Sequence, residues 1–304
     1  MIEWQSCTKR YQGSRTSACD RLNLEVRDGE VLGLVGLNGA GKTTAIRVAC
    51  GVSLPTSGTV RIDNRDIVQE KAAASRRVGW VPELPNCDPD RPALSTLRYL
   101  AGFYGLSGLA ATPRCREILK AVGLEGSERT KLRRFSQGMF KRFNLAAAMV
   151  GDPANLLLDE VLNGIDPQGI QFVRNWIVEL RAQRKAVLLS SHQLTEVQRV
   201  ADRVAILHRG RLLRVIKRSE LENLATGETR IRLRIQNLDA GCIRYLETLG
   251  PVVTEGERVS LVGREIDLVD LNRELVRRGY AVAGLQTETT PLEDYFLRLV
   301  GELG

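Results

Sequence analysis

Two adjacent carboxylates, Asp159 and Glu160, close an apolar run, Asn155-Leu156-Leu157-Leu158. Acids placed in this way can hold a divalent cation and turn a water molecule toward a phosphorus centre. Well before them stands Gly36-Leu37-Asn38-Gly39-Ala40-Gly41-Lys42-Thr43-Thr44, which fits G-x-x-x-x-G-K-[ST] at every fixed position. Glycines at this spacing let successive backbone N–H groups converge on phosphate oxygens. Lys42 would then reach the outer phosphates, and the Thr43 hydroxyl would ligate Mg²⁺. Three more residues join the candidates: His192 for a hydrogen bond to a terminal phosphate, Ser136 at a helix start that favours anions, and Tyr11 for stacking on adenine. Each also has a plainer reading: a glycine turn between strand and helix, an exposed helix-start histidine, a cap without a ligand, a tyrosine on a sheet edge. Capping of the following segment explains one of the two acids poorly and both together worse.

Such groups must be carried by particular elements. Glu30 to Val35 is an apolar run of strand length, and Thr44 to Cys50 reads as a helix start, so the glycine loop has the strand-turn-helix setting that it needs. The run ending at Asp159 suits a central parallel strand covered on both faces, and its carboxyl end is where open α/β sheets bind ligands. Because neighbouring strand residues point to opposite faces, one acid is expected to hold Mg²⁺ while the other faces the water. Ala186 to Ser191 is a further strand, ending at His192.

The remaining stretches frame these. Leu22 to Val26, Thr59 to Ile62 and Arg77 to Glu83 read as strands. Residues 84 to 92 hold three prolines and leave regular structure, after which the pattern becomes helical, with Leu97, Leu100, Ala101 and Tyr104 on one face. This helical insertion closes with Ser136 ahead of the helix Phe143 to Val150. Asn163 to Pro167 is a turn before a helix over Gly169 to Gln183, and a hairpin turns at Arg209-Gly210. After residue 219 the order is βαββαβ, with a strand at Tyr280 to Leu285 and a terminal helix at Pro291 to Val300. That order fits a small ferredoxin-like sandwich without catalytic groups, a packing or dimerising module.

Composition narrows the class. With 43% hydrophobic and 26% charged residues the chain is ordinary globular material. No apolar run approaches the roughly 20 residues that span a bilayer, and the N-terminus lacks a signal-peptide pattern, so a cytosolic protein is expected. Six scattered cysteines without C-x-x-C spacing point to free thiols. Residues 1–218 hold 34 Lys+Arg against 21 Asp+Glu, whereas 219–304 hold 10 against 15. The asymmetry supports a boundary near 219 and a first part that works beside something anionic. A solvated surface without a partner explains the same charge.

Taken together and in this order, the stretches resemble the ATP-binding subunit of an ABC transporter over roughly residues 1 to 218. Gly36 to Thr44 matches the Walker A loop and Leu156 to Glu160 matches Walker B with its catalytic glutamate. Asn163 to Asp166 matches the D-loop, His192 the switch histidine, and Tyr11 the adenine-stacking position. Where the family has a Q-loop glutamine, this chain has Glu83. Its signature reads Phe135-Ser136-Gln137-Gly138-Met139, keeping the Ser136 and Gly138 that contact phosphate, and Val161 replaces a common proline. Such a signature, with Thr290 to Phe296 near the end, is similar to the drug, lantibiotic and polysaccharide exporters.

The resemblance implies a P-loop α/β ATPase domain at 1–218, with a helical subdomain at about 86–150 and an accessory α+β domain at 219–304. It implies ATP and Mg²⁺, with Thr43, Glu83 and Asp159 around the metal, Glu160 as general base, and Lys42 and His192 on the transferring phosphoryl group. Two copies would meet head to tail, so that Ser136 and Gly138 of one complete the other's site, and Asp166 of the D-loop is a further nucleotide-binding residue. A separate integral membrane permease would form the pore, holding the subunit at the cytoplasmic face of the membrane. A soluble ABC ATPase acting on nucleic acid or the ribosome is the competing reading. It is opposed by the single nucleotide domain and the lack of a long heptad insertion, and no specific nucleic acid is expected.

Overall fold

The computed structural model describes residues 1–84, 87–106, 108–221, 229–263 and 266–289; the helix expected over Pro291 to Val300 lies outside them. The chain divides into two compact units, Met1–Ile216 and Lys217–Gly304.

In the first unit the strands are β1 (Ile2–Lys9), β2 (Cys19–Val26), β3 (Val31–Val35), β4 (Ser57–Ile62), β5 (Arg65–Asp66), β6 (Val78–Val81), β7 (Asn155–Asp159), β8 (Ala186–Ser191), β9 (Arg203–His208) and β10 (Arg211–Lys217). They form a six-stranded sheet, β10-β9-β3-β8-β7-β6, and a four-stranded sheet, β2-β1-β4-β5. The pairs of the first sheet from β9 to β6 are parallel, and those of the second are antiparallel. Strands β3, β7 and β8 are buried along their whole length, which is why they read as unbroken apolar runs. Each fully buried leucine of β7 contributes roughly 1.5–3 kcal/mol.

Helix α1 (Lys42–Ala49) packs against β1, β4 and β7. Its Ala45, Ile46 and Ala49 share one core with Ile2, Trp4, Val60 and Ile62 of the smaller sheet and with Leu32, Leu34 and Leu188 of the larger. The Trp4 indole N–H donates to the Ala45 carbonyl at 3.2 Å, which satisfies its one polar atom and ties β1 to the start of α1.

Helix α2 (Lys71–Ser75) precedes β6. Between β6 and β7 lie α3 (Ala93–Gly102), α4 (Gly108–Ala121) and α5 (Gln137–Met149), which pack on one another, with α5 also against β6. Helix α5 begins at Gln137, six residues before the apolar stretch at Phe143, because Ser136 caps it. Helices α6 (Pro167–Ala182) and α7 (Leu194–Gln198) follow β7 and β8.

Arg209 and Gly210 both have left-handed backbones, φ 45° and 80°, as the tight turn between β9 and β10 requires. The Gly210 N–H donates to the Ala40 carbonyl at 2.8 Å, and its own carbonyl accepts from Asp20 N–H at 2.8 Å. All six cysteines are free. Burial pushes the Cys7 thiol up to about 11 and Cys19 up to about 12, so neither supplies a thiolate.

The second unit contains β11 (Thr229–Ile235), a helix at Ala240–Glu247, β12 (Val252–Glu255), β13 (Arg258–Gly263), a helix at Leu268–Arg277 and β14 (Val282–Thr289). Its antiparallel order β12-β13-β11-β14 is that of a ferredoxin-like sandwich. Ile231, Leu233 and Ile235 alternate into a core with Leu246, Leu261, Leu271 and Leu275. β14 runs past Leu285 to Thr289 because it pairs with β11 along its full length.

Candidate active site

The loop after β3 turns into α1 through residues that tolerate only glycine. Gly41 has φ 107°, and a Cβ there would sit 2.2 Å from the Ala18 carbonyl oxygen; one on Gly36 would sit 2.4 Å from that of Leu207. Gly41→Ala therefore forces the loop away from Ala18, with an expected loss of about 1–3 kcal/mol of stability. Denaturant unfolding of the nucleotide-free chain measures it.

The loop borders a cavity of about 420 Å³ lined by Ala18, Asn38 to Thr44, Glu83, Glu160, Asn163 and His192. Lys42 is buried; its Nζ donates to the Gly36 carbonyl at 2.7 Å and pairs with Glu160 Oε1 at 3.2 Å. The other carboxylate oxygen, Glu160 Oε2, accepts from Asn163 Nδ2 at 2.9 Å and lies 3.1 Å from His192 Nδ1. One carboxylate thus collects the lysine, the histidine and an amide from three separate parts of the chain.

Asp159 sits beside this group. Its Oδ1 accepts from Ser190 Oγ at 2.6 Å and from Thr43 Oγ1 at 3.3 Å, while Oδ2 is buried without a hydrogen-bond partner among the described residues. Burial raises the Asp159 pKa, and the two hydroxyls hold it down in part. The pairing of Asp159 with Ser190 follows from the register of β7 on β8.

Strand alternation predicts opposite faces for the two acids, but the pleat does not reach Glu160. β7 ends at Asp159, and Glu160 stands beyond it with φ 51°. Its direction comes from this left-handed turn, held by bonds from Glu160 N–H to the Ser190 carbonyl at 3.2 Å and to Ser190 Oγ at 3.1 Å.

The remaining candidates lie outside the cavity lining. Gly36 and Leu37 begin the loop and present their carbonyls to Lys42. Tyr11 is exposed and stacks under Lys9 Nζ at 5.1 Å. Ser136 Oγ accepts from Met139 N–H at 3.2 Å, and Asp166 Oδ1 accepts from Gly169 N–H at 2.7 Å, each capping a helix; Gly138 sits in the first turn of α5. Ser136→Ala should cost about 1 kcal/mol of stability, read as a lowered melting temperature.

Three contacts escape motif reading: Ser190 on Asp159, Asn163 on Glu160, and Lys141, whose Nζ donates to the Glu160 carbonyl at 3.4 Å. The first had a signal, a serine at the carboxyl end of a buried strand. Lys141 had none.

Known proteins similar to this chain identify its family. The family model described as ABC transporter matches residues 19–163. The bacitracin transport ATP-binding protein BcrA of Bacillus licheniformis is 32% identical over 99% of this chain and 97% of its own length. The Nod factor export ATP-binding protein I of Paraburkholderia xenovorans is 33% identical over 99% and 97%. Among solved structures, an ATP-binding subunit of an ABC transporter is 27% identical, with a TM-score of 0.66 over 74% of this chain and 91% of that one. A dimeric bacterial ABC transporter cassette is 25% identical, with a TM-score of 0.66 over 71% and 98%. With its glycine loop, paired acids and histidine arranged as described, the chain belongs to the ABC transporter family and is one of its ATP-binding, ATP-hydrolysing subunits.

Proposed function

We propose that this chain drives export through a separate membrane permease, working as a head-to-tail pair of copies. The observation that carries the reading is the convergence of Lys42, Asn163 and His192 on one carboxylate, Glu160, beside a glycine loop. In it the loop amides and Lys42 bind the outer phosphates. Glu160 orients the attacking water and takes its proton, and His192, in contact with Glu160, steadies the charge on the transferring group.

The residues present fit Mg²⁺. The partnerless Asp159 oxygen and the Thr43 hydroxyl beside it form an all-oxygen donor set, with Glu83 on the same cavity. Among the described residues no group of three or more His, Cys, Asp or Glu forms a cage, which suits a cation that keeps waters and binds together with substrate phosphates. Bound there, Mg²⁺ would neutralise phosphate charge.

Ser136 and Gly138 fall outside the chain's own cavity, as residues serving the other copy's nucleotide would. Tyr11 and Asp166 are assigned to the adenine and to that same junction. Leu84, Tyr99 and Phe103 are exposed large apolar side chains between residues 83 and 105. Tyr99 and Phe103 meet edge to face at 5.3 Å. Such a patch suits a helix of the permease, so that ATP-driven closure becomes movement of the partner. Among the described residues no helix is long and apolar enough to cross a membrane, in keeping with a peripheral subunit at the cytoplasmic face. The names of relatives concerned with bacitracin transport and Nod factor export favour export.

The test is purification of the tagged chain from detergent-solubilised membranes, followed by reconstitution. A co-purifying membrane protein whose incorporation in vesicles raises ATP hydrolysis is the expected result. Stimulation by RNA, DNA or ribosomes without any membrane protein would overturn the reading.

A further inference from the structure

Glu160 is held by its backbone as well as by its carboxylate. Its N–H is bound from β8 by both oxygens of Ser190. Its carbonyl accepts from the Asn163 N–H at 3.2 Å and from Lys141 Nζ at 3.4 Å. A left-handed backbone at a residue with a side chain is costly, and it persists only where neighbours fix it. Lys141 is the contact that reaches this turn from α5, the helix whose cap is Ser136 and whose first turn holds Gly138. The lysine is half-buried. Burial lowers its pKa, while Glu83 and Glu160 favour its charged form.

We propose that Lys141 is a positioning residue for the general base. By gripping the Glu160 carbonyl it fixes the turn that aims the carboxylate at Lys42, Asn163 and His192, and it couples that aim to the helix carrying Ser136 and Gly138. The proposal rests on the assignment of Glu160 as the base. It adds a link within one chain between the part that faces another copy's nucleotide and the part that acts on its own. A lysine suits the task because its long stem spans from helix to turn and its ammonium strengthens a bond to a carbonyl that already has one donor.

The experiment compares steady-state phosphate release and ATP affinity for the full chain and the variants Lys141→Met, Lys141→Arg, Glu160→Gln and the double Lys141→Met/Glu160→Gln. Lys141→Met should lower kcat by roughly 10- to 100-fold, the effect of a slightly misaimed group, with ATP affinity within about twofold. Lys141→Arg, which keeps a charged donor, should recover most of the rate. The double variant should be no slower than Glu160→Gln alone, because groups that act as a unit are not additive. A wild-type kcat in Lys141→Met, an affinity that falls in step with the rate, or a further loss in the double variant would each overturn the proposal. Wild-type hydrolysis by Glu160→Gln would instead overturn the base assignment itself, so the two failures are distinguishable.

Discussion

Glu160→Gln should slow ATP hydrolysis by ~10² to 10⁴-fold while ATP still binds. The amide keeps the side chain's shape, and its oxygen can still accept from Asn163 beside His192 while the ion pair with Lys42 is lost. It cannot accept the water's proton. The measurement is single-turnover phosphate release set against equilibrium nucleotide titration. Equal wild-type rates would remove Glu160 from its role, whatever its contacts.

Lys42→Ala should produce the opposite split. Lys42 Nζ is buried between the Gly36 carbonyl and Glu160, and removing it leaves that carboxylate facing incoming phosphates without a cation between. A lost charge-assisted hydrogen bond corresponds to about one to two orders of magnitude in affinity, and like-charge repulsion adds to it. Titration with an ATP analogue should therefore show a raised Kd, before any effect on turnover is considered. Unchanged affinity would count against the loop as the phosphate site.

Much of this arrangement is legible in the sequence because its determinants are local. The loop motif, the apolar strands that end in Asp159 and Ser191, and the Arg209-Gly210 turn each need only neighbouring residues to be recognised. The βαββαβ order of the second unit is similarly readable from alternation and turns. What escaped was set by pairing across long stretches. Ser190 reaches Asp159 because β8 lies beside β7 in a particular register, and Lys141 reaches Glu160 because α5 returns against the sheet. The left-handed turn at Glu160 is imposed by those partners, since nothing in glutamate itself favours it. Helix α5 begins earlier than its apolar pattern because the Ser136 cap, and not burial, decides where it starts.

The bond from Gly210 N–H to the Ala40 carbonyl bears on the protein's synthesis. The glycine cradle is translated early, yet it leans on a turn made some 170 positions later, and Gly36 also lies against the Leu207 backbone. A nascent chain still on the ribosome after His192 has emerged carries every recognisable motif but lacks this support. Nucleotide competence should thus be acquired late in translation, once both closing strands have left the exit tunnel. Fragments cut short of residue 210 should fail to hold nucleotide despite an intact glycine stretch.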